Sequence, residues 1–110
     1  MEISSISYNR CDVVKATGRI DSDTAPDLEK AFNAIIDSRK SGIVFDMSEV
    51  DFISSRGLWV IIETQKACKK KRGKLALANI SDEMSRSIEL SGVKHFMEIY
   101  DDVTAAVGSF

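Results

Sequence analysis

Apolar positions along the chain follow two rhythms. From Val13 to Ile20 they alternate, with Val14, Ala16, Gly18 and Ile20 on one side and Val13, Lys15, Thr17 and Arg19 on the other, which is the period of a strand. Ile3, Ile6 and Tyr8 repeat the alternation more weakly. With a tight turn at Arg10-Cys11-Asp12, the two segments read as an amino-terminal hairpin. Leu28, Ala31, Phe32 and Ile35 then fall at i, i+3, i+4 and i+7, the spacing of a helix from about Ala25 to Arg39. Thr24 and Asp27 fit a capping box at its start, and Pro26 sits in the first turn, where its missing N–H does no harm.

Ile43, Val44, Phe45 and Met47, interrupted only by Asp46, suit a strand covered on both faces, with Asp46 near its carboxyl end. A short polar connection is expected next. Ser54 or Ser55 then caps a helix running to about Lys71, with Leu58, Ile61, Ile62, Gln65 and Cys68 on its inner face. Lys74 to Ile80 is a further strand. Ser81 caps a short helix with Met84 and Ile88 inward, closed by Ser91-Gly92. Val93 to Tyr100 is a last short strand, and a helix carrying Val103, Ala106 and Val107 follows Asp101-Asp102.

The order β-β-α-β-α-β-α-β-α predicts an α/β fold, a mainly parallel sheet of four to five strands packed with four helices, in a single domain over residues 1–110. Strands that alternate with helices pair in parallel, so the first strand is an antiparallel addition.

A formal charge of −2 leaves no electrostatic footprint for nucleic acid, and Lys69-Lys70-Lys71-Arg72 reads as a solvated helix end, where cations suit the dipole. Cys11 and Cys68 match no metal spacing, so reduced thiols and no metal or cofactor are expected. The amino terminus lacks the apolar core of a signal peptide, and no stretch approaches the roughly twenty apolar residues of a membrane span. A cytoplasmic protein is expected.

Sites in open parallel sheets lie beyond the carboxyl ends of the strands. Asp21, Ser55 and Asn79 should gather on that rim. A hydroxyl at a positive helix end, beside a carboxylate, suits acceptance of a phosphoryl group, with Asp21 orienting the hydroxyl or taking its proton and Gly57 leaving room for the anion. The same residues also make an ordinary helix cap and an ordinary turn. Trp59 is either a core-edge residue or a contact anchor. No G-x-S-x-G elbow or Gly-rich phosphate loop occurs, and His95 stands alone, so an enzyme is not expected. A receiver domain would need an acidic pair ending its first strand, and the segment ending at Asn9 has none.

Thr17-Gly18-Arg19-Ile20-Asp21, Phe45-Asp46-Met47-Ser48 and Asp51-Phe52-Ile53-Ser54-Ser55-Arg56-Gly57-Leu58 resemble the STAS domain of bacterial anti-sigma factor antagonists. Ile88-Glu89-Leu90-Ser91-Gly92-Val93 and Phe96-Met97-Glu98-Ile99-Tyr100 extend the resemblance over nearly the whole chain. The resemblance implies partner switching. Such an antagonist binds an anti-sigma factor, an ATPase-fold serine kinase, is released when phosphorylated, and is restored by a serine phosphatase. Ser55 matches the phosphoacceptor, with Ser54 as second choice, and Asp21 matches the acidic residue beside it. Asp46, Arg56 and Gly57 are expected as its other neighbours.

The docking surface should include Asp21, Ser22, Ser54, Ser55, Arg56, Trp59 and Asn79, on a monomer or weak dimer. Ser54 replaces a usual aspartate of the family, while Arg56 and Trp59 replace small residues. Arg56 and Trp59 suit the alternative of a STAS module that is never phosphorylated, a scaffold or an accessory subunit of a transporter.

Overall fold

The computed structural model describes all residues, 1–110. Its strands are β1 (Glu2–Ser7), β2 (Asp12–Ile20), β3 (Gly42–Asp46), β4 (Val50–Ile53), β5 (Lys74–Ala78) and β6 (Glu98–Tyr100). Its helices are α1 (Ala25–Asp37), α2 (Ser55–Lys70), α3 (Asp82–Ser91) and α4 (Val103–Gly108). The strands form one sheet in the order β1-β2-β3-β5-β6, with β4 also on β2. Only the β1–β2 pair is antiparallel; the other pairings are parallel. The mainly parallel α/β architecture is the one expected.

The sheet has one strand more than expected. Residues Val50–Ile53 are not a loop: they pair in parallel with Gly18–Ile20, while β3 pairs with the earlier part of β2, Asp12–Lys15. β3 and β4 thus occupy successive stretches of one side of β2, separated by Met47-Ser48-Glu49. Backbone bonds hold this excursion in place, from the Met47 N–H to the Ala78 carbonyl and from the Gly18 N–H to that of Glu49, each 2.9 Å. The register on β2 shifts between Gly18 and Arg19, and Gly18 takes φ +108°, a conformation that L side chains rarely adopt. Only Val50 and Ile53 of β4 are buried. Four residues with a single buried residue at each end carry neither the alternation nor the length by which a strand is recognised, so tertiary pairing alone defines it.

The two faces of the sheet close two cores. Val14, Ala16, Ile20, Ile43, Phe45 and Leu75 pack under α1, α2 and α3 in the larger one. There Phe32 of α1 meets Phe45 of β3 edge to face, with ring centroids 5.3 Å apart. On the opposite face Cys11, Val13, Val44 and Ala78 pack beneath Ala106 of α4. β3 is buried along its whole length because it has a neighbour above and below. At the carboxyl end of the chain the expected strand from Val93 shortens to β6, since Val93–His95 form a 3-10 turn.

Candidate functional site

α2 begins where β2 and β4 end together. The Ser54 N–H donates to the Ile20 carbonyl at 2.8 Å, which fixes the start of the helix beside Asp21. The two adjacent serines then divide their roles. Ser54 is the N-cap, with extended backbone, and its Oγ accepts from the Gly57 N–H at 3.3 Å. Ser55 opens the helix itself and is exposed. Its hydroxyl therefore stands at the positive helix end without the capping duty that its neighbour performs.

Gly57 serves the fold rather than an anion. It is buried, and a Cβ there would lie 2.6 Å from Ile20 Cγ2 and 2.8 Å from Ile53 Cγ1. The missing side chain lets the first turn of α2 settle on the ends of β2 and β4, which presses Ser54 and Ser55 against the rim. The inner face of α2 agrees with the expected one only in part. Gly57, Val60, Ile61, Thr64, Gln65 and Cys68 are buried, whereas Leu58 and Ile62 pack only at the edge of the core. Ile61, Gln65 and Cys68 lie on the face the sequence predicts, while the buried Gly57, a residue with no apolar signal, and Val60 and Thr64 extend it to the side away from Leu58 and Ile62.

The Asp21 carboxylate is committed to its own turn. Its Oδ1 accepts from the N–H groups of Asp23 (3.0 Å) and Thr24 (3.1 Å). These donors, the Thr24 N–H first, hold its carboxyl below the usual aspartate range, helped by the Thr24 hydroxyl and the charge of Arg19. The expected Thr24 capping box is absent: Thr24 makes no side-chain cap, and its hydroxyl bonds the Arg19 carbonyl at 2.7 Å. The Asp21 side chain instead accepts from the Thr24 N–H, the bond that Asp27 would make in a capping box. Asp21 thus sits next to Ser54 through the backbone, and its carboxylate shapes the loop leading into α1.

Asp46 and Asn79 form a separate pair deeper on the rim. Asp46 Oδ1 accepts from Asn79 Nδ2 at 3.1 Å and from the Ser48 N–H at 3.0 Å, and Asp46 is only 9% exposed. Asn79 takes φ +57°, a left-handed conformation in which asparagine is more at ease than most residues. Both side chains are spent on joining β3 to the end of β5, not on the serines.

Arg56 and Trp59 complete the outer surface. The guanidinium of Arg56 lies over the Trp59 ring and 3.8 Å from Glu29 of α1, and Trp59 is 43% exposed. Trp59 is a surface residue and not part of the core edge. A second pair of the same kind escaped the sequence reading: Arg19 stacks on Phe52 at 4.1 Å from the centroid, where β2 and β4 pair. Its only sequence signal was an aromatic residue in a stretch read as polar connection. Ser22 is exposed in the loop after Asp21.

Comparison with known proteins gives a consistent family. An anti-sigma-B factor antagonist from Listeria monocytogenes is 32% identical over 101 residues, covering 90% of this chain and 86% of that protein. The crystal structure of an anti-sigma factor antagonist from Mycobacterium paratuberculosis superposes with a TM-score of 0.89 at 27% identity, covering 98% of this chain and 92% of the other. The Bacillus protein SpoIIAA in its phosphorylated form shares the fold, with a TM-score of 0.76 at 16% identity and coverage of 99% and 100%. The family model for the STAS domain matches residues 3–106. The chain belongs to the STAS domain family.

Proposed function

We propose that this protein is an anti-sigma factor antagonist that docks on an anti-sigma factor serine kinase of ATPase fold, and that phosphorylation of Ser55 ends the interaction. A serine phosphatase restores it, and control of transcription is indirect. The observation that carries the reading is the division between the serines: Ser54 is held as the N-cap, while Ser55 stands exposed at the first helical position. The names of the Listeria and Mycobacterium relatives support an anti-sigma factor as the partner; its being a serine kinase of ATPase fold rests on the family resemblance. No helix is long and apolar enough to cross a membrane, and the cytoplasm, where such a kinase and its sigma factor act, is the proposed location.

The physical basis needs no rearrangement of the fold. A phosphoryl group adds about −1.5 to −2 charge at one point of the docking surface. Left unpaired in a contact, a group of that kind costs about 1–3 kcal/mol or more, enough to weaken a complex by about five- to 150-fold or beyond. Asp21, Ser22, Ser54, Arg56, Trp59 and Asn79 lie on the same rim or the first turns of α2 and make up the rest of the proposed surface.

The test is intact-mass spectrometry after incubation with ATP and the serine kinase recovered with the tagged chain. One phosphoryl group is expected on the wild type and on Ser54→Ala, and none on Ser55→Ala. Addition to Ser55→Ala would move the site elsewhere. Stable binding of the kinase with no transfer to the wild type would instead favour an unphosphorylated scaffold, the reading to which Arg56 over Trp59 beside the serine lends weight.

A further inference from the structure

The far half of α2 presents a second surface, distinct from its serine end. Ile62, Lys66, Lys69 and Lys70 follow one another along the outside of the helix and face Phe96, which is 65% exposed just after the 3-10 turn. Between them lies an open hollow of about 750 Å³. Its floor includes Gln65, whose amide is already used: Nε2 donates to the Phe96 carbonyl and Oε1 accepts from the Leu75 N–H, both at 2.7 Å. The floor thus offers aliphatic stems, a phenyl ring and no unmet hydrogen bond.

The rim is cationic and uncompensated. The ion pairs of the molecule involve Lys40, Arg56, Lys74 and Lys94, and none involves Lys66, Lys69 or Lys70. Glu98, whose carboxyl Lys69 influences weakly, is already bonded by Tyr100 and Lys74. The basic run that read as a solvated helix end is in fact divided. Lys71 turns inward to donate to the Ile36 carbonyl at the end of α1, at 2.7 Å, while Lys69 and Lys70 point to the hollow. In a chain of net charge −2 this is a local concentration of positive charge.

We infer that this hollow binds a single-chain anionic amphiphile, a free fatty acid, with the alkyl chain along Ile62, Phe96 and the lysine stems and the carboxylate among the three ammonium groups. Lysine serves both parts, because its methylenes cover apolar surface while its charge stays at the edge. Size favours such a ligand over a protein helix. Ligand clefts run to about 300–1,000 Å³, whereas a protein partner needs roughly 20–30 residues on each side, far more than the six that line this hollow.

The test uses decanoate below its micelle concentration and the full chain labelled with nitrogen-15. Amide shifts are expected to concentrate in the second half of α2 and around residues 93–97, leaving the serine end unmoved. Decanol should bind about tenfold more weakly than decanoate, and octanoate, two methylenes shorter, about fifteenfold more weakly. The triple variant Lys66→Glu, Lys69→Glu, Lys70→Glu should lose at least tenfold in affinity, and Phe96→Ala should weaken binding with all charges intact. All four side chains are exposed, so unchanged melting curves serve as the control for folding. Equal binding by the triple variant, shifts scattered over the surface, no decanoate binding, or binding only to anionic vesicles or to an acidic amphipathic peptide would each overturn the assignment.

Discussion

The guanidinium of Arg56 lies 4.3 Å from the centroid of the Trp59 ring, one turn further along the same helix. Trp59 is the only tryptophan, so the emission of the chain reports on the surroundings of that one ring. An exposed cation–π contact contributes about 0.5–1 kcal/mol and a surface ion pair such as Arg56–Glu29 at most about 1, whereas a hydrogen bond to a charged group contributes about 1.5–3. Two such bonds, the bidentate contact arginine makes with phosphate, outweigh both present partners together, so a phosphate on Ser55 is expected to draw Arg56 away from them. A chain carrying phosphoserine at position 55 is expected to show altered tryptophan emission, and Arg56→Gln to show none of the change. The same response in Arg56→Gln would exclude the exchange.

The two serines should separate in a stability measurement. Ser54→Ala removes a cap and is expected to cost about 1 kcal/mol, whereas Ser55→Ala should stay within about 0.5 kcal/mol of wild type. Urea unfolding of both variants decides this, and an equal loss in the two would mean that Ser55 shares the capping role.

The two structural glycines fail for different reasons. Gly57→Ala drives a methyl group into Ile20 and Ile53 and should cost about 1–3 kcal/mol as an overpacked core. Gly18→Ala meets no atom within 4 Å and should cost about 1–2 kcal/mol from its backbone conformation alone. Gly57→Ala, and not Gly18→Ala, should also move the Ser54 and Ser55 amide resonances.

Asp21 predicts a pH dependence of defined sign. Its folded carboxyl titrates below the unfolded one, so its contribution is complete above the unfolded value and is lost as the pH falls through the folded value. Stability measured across the acid range should fall more gently in Asp21→Asn than in wild type. Parallel acid limbs would show that the turn bonds lack that effect.

Both thiols should be inert in the folded state. Burial first of all raises the Cys68 pKa to about 11, and Cys11 is also raised, chiefly by burial. A thiol reagent at pH 8 should modify neither until denaturant is added; fast labelling of one would reveal local opening there.

What the sequence made legible depended on how locally each feature is encoded. The α1 stripe and the doubly covered β3 are written in periodicity, and the structure has both where expected. β4 was invisible because Val50–Ile53 becomes a strand only through its bonds to the far end of β2. The face of α2 was legible at Ile61, Gln65 and Cys68 but not at Gly57 and Thr64, which are buried without being apolar in composition. At the site, only the family resemblance sets Ser55 apart from Ser54, and which of the two makes the cap is decided by the folded backbone. The Arg19–Phe52 pair joins residues 33 positions apart in sequence, and nothing in either neighbourhood announces it.

Gln65 adds a mechanical boundary. One side-chain amide fastens α2 to the backbone of β5 and to the segment after the 3-10 turn, while Gly57 seats the opposite end on Ile20 and Ile53. A rod clamped at both ends does not act as a lever. An alteration at its exposed tip stays a matter of surface chemistry, so the two ends of α2 are free to answer to different molecules without either one disturbing the other.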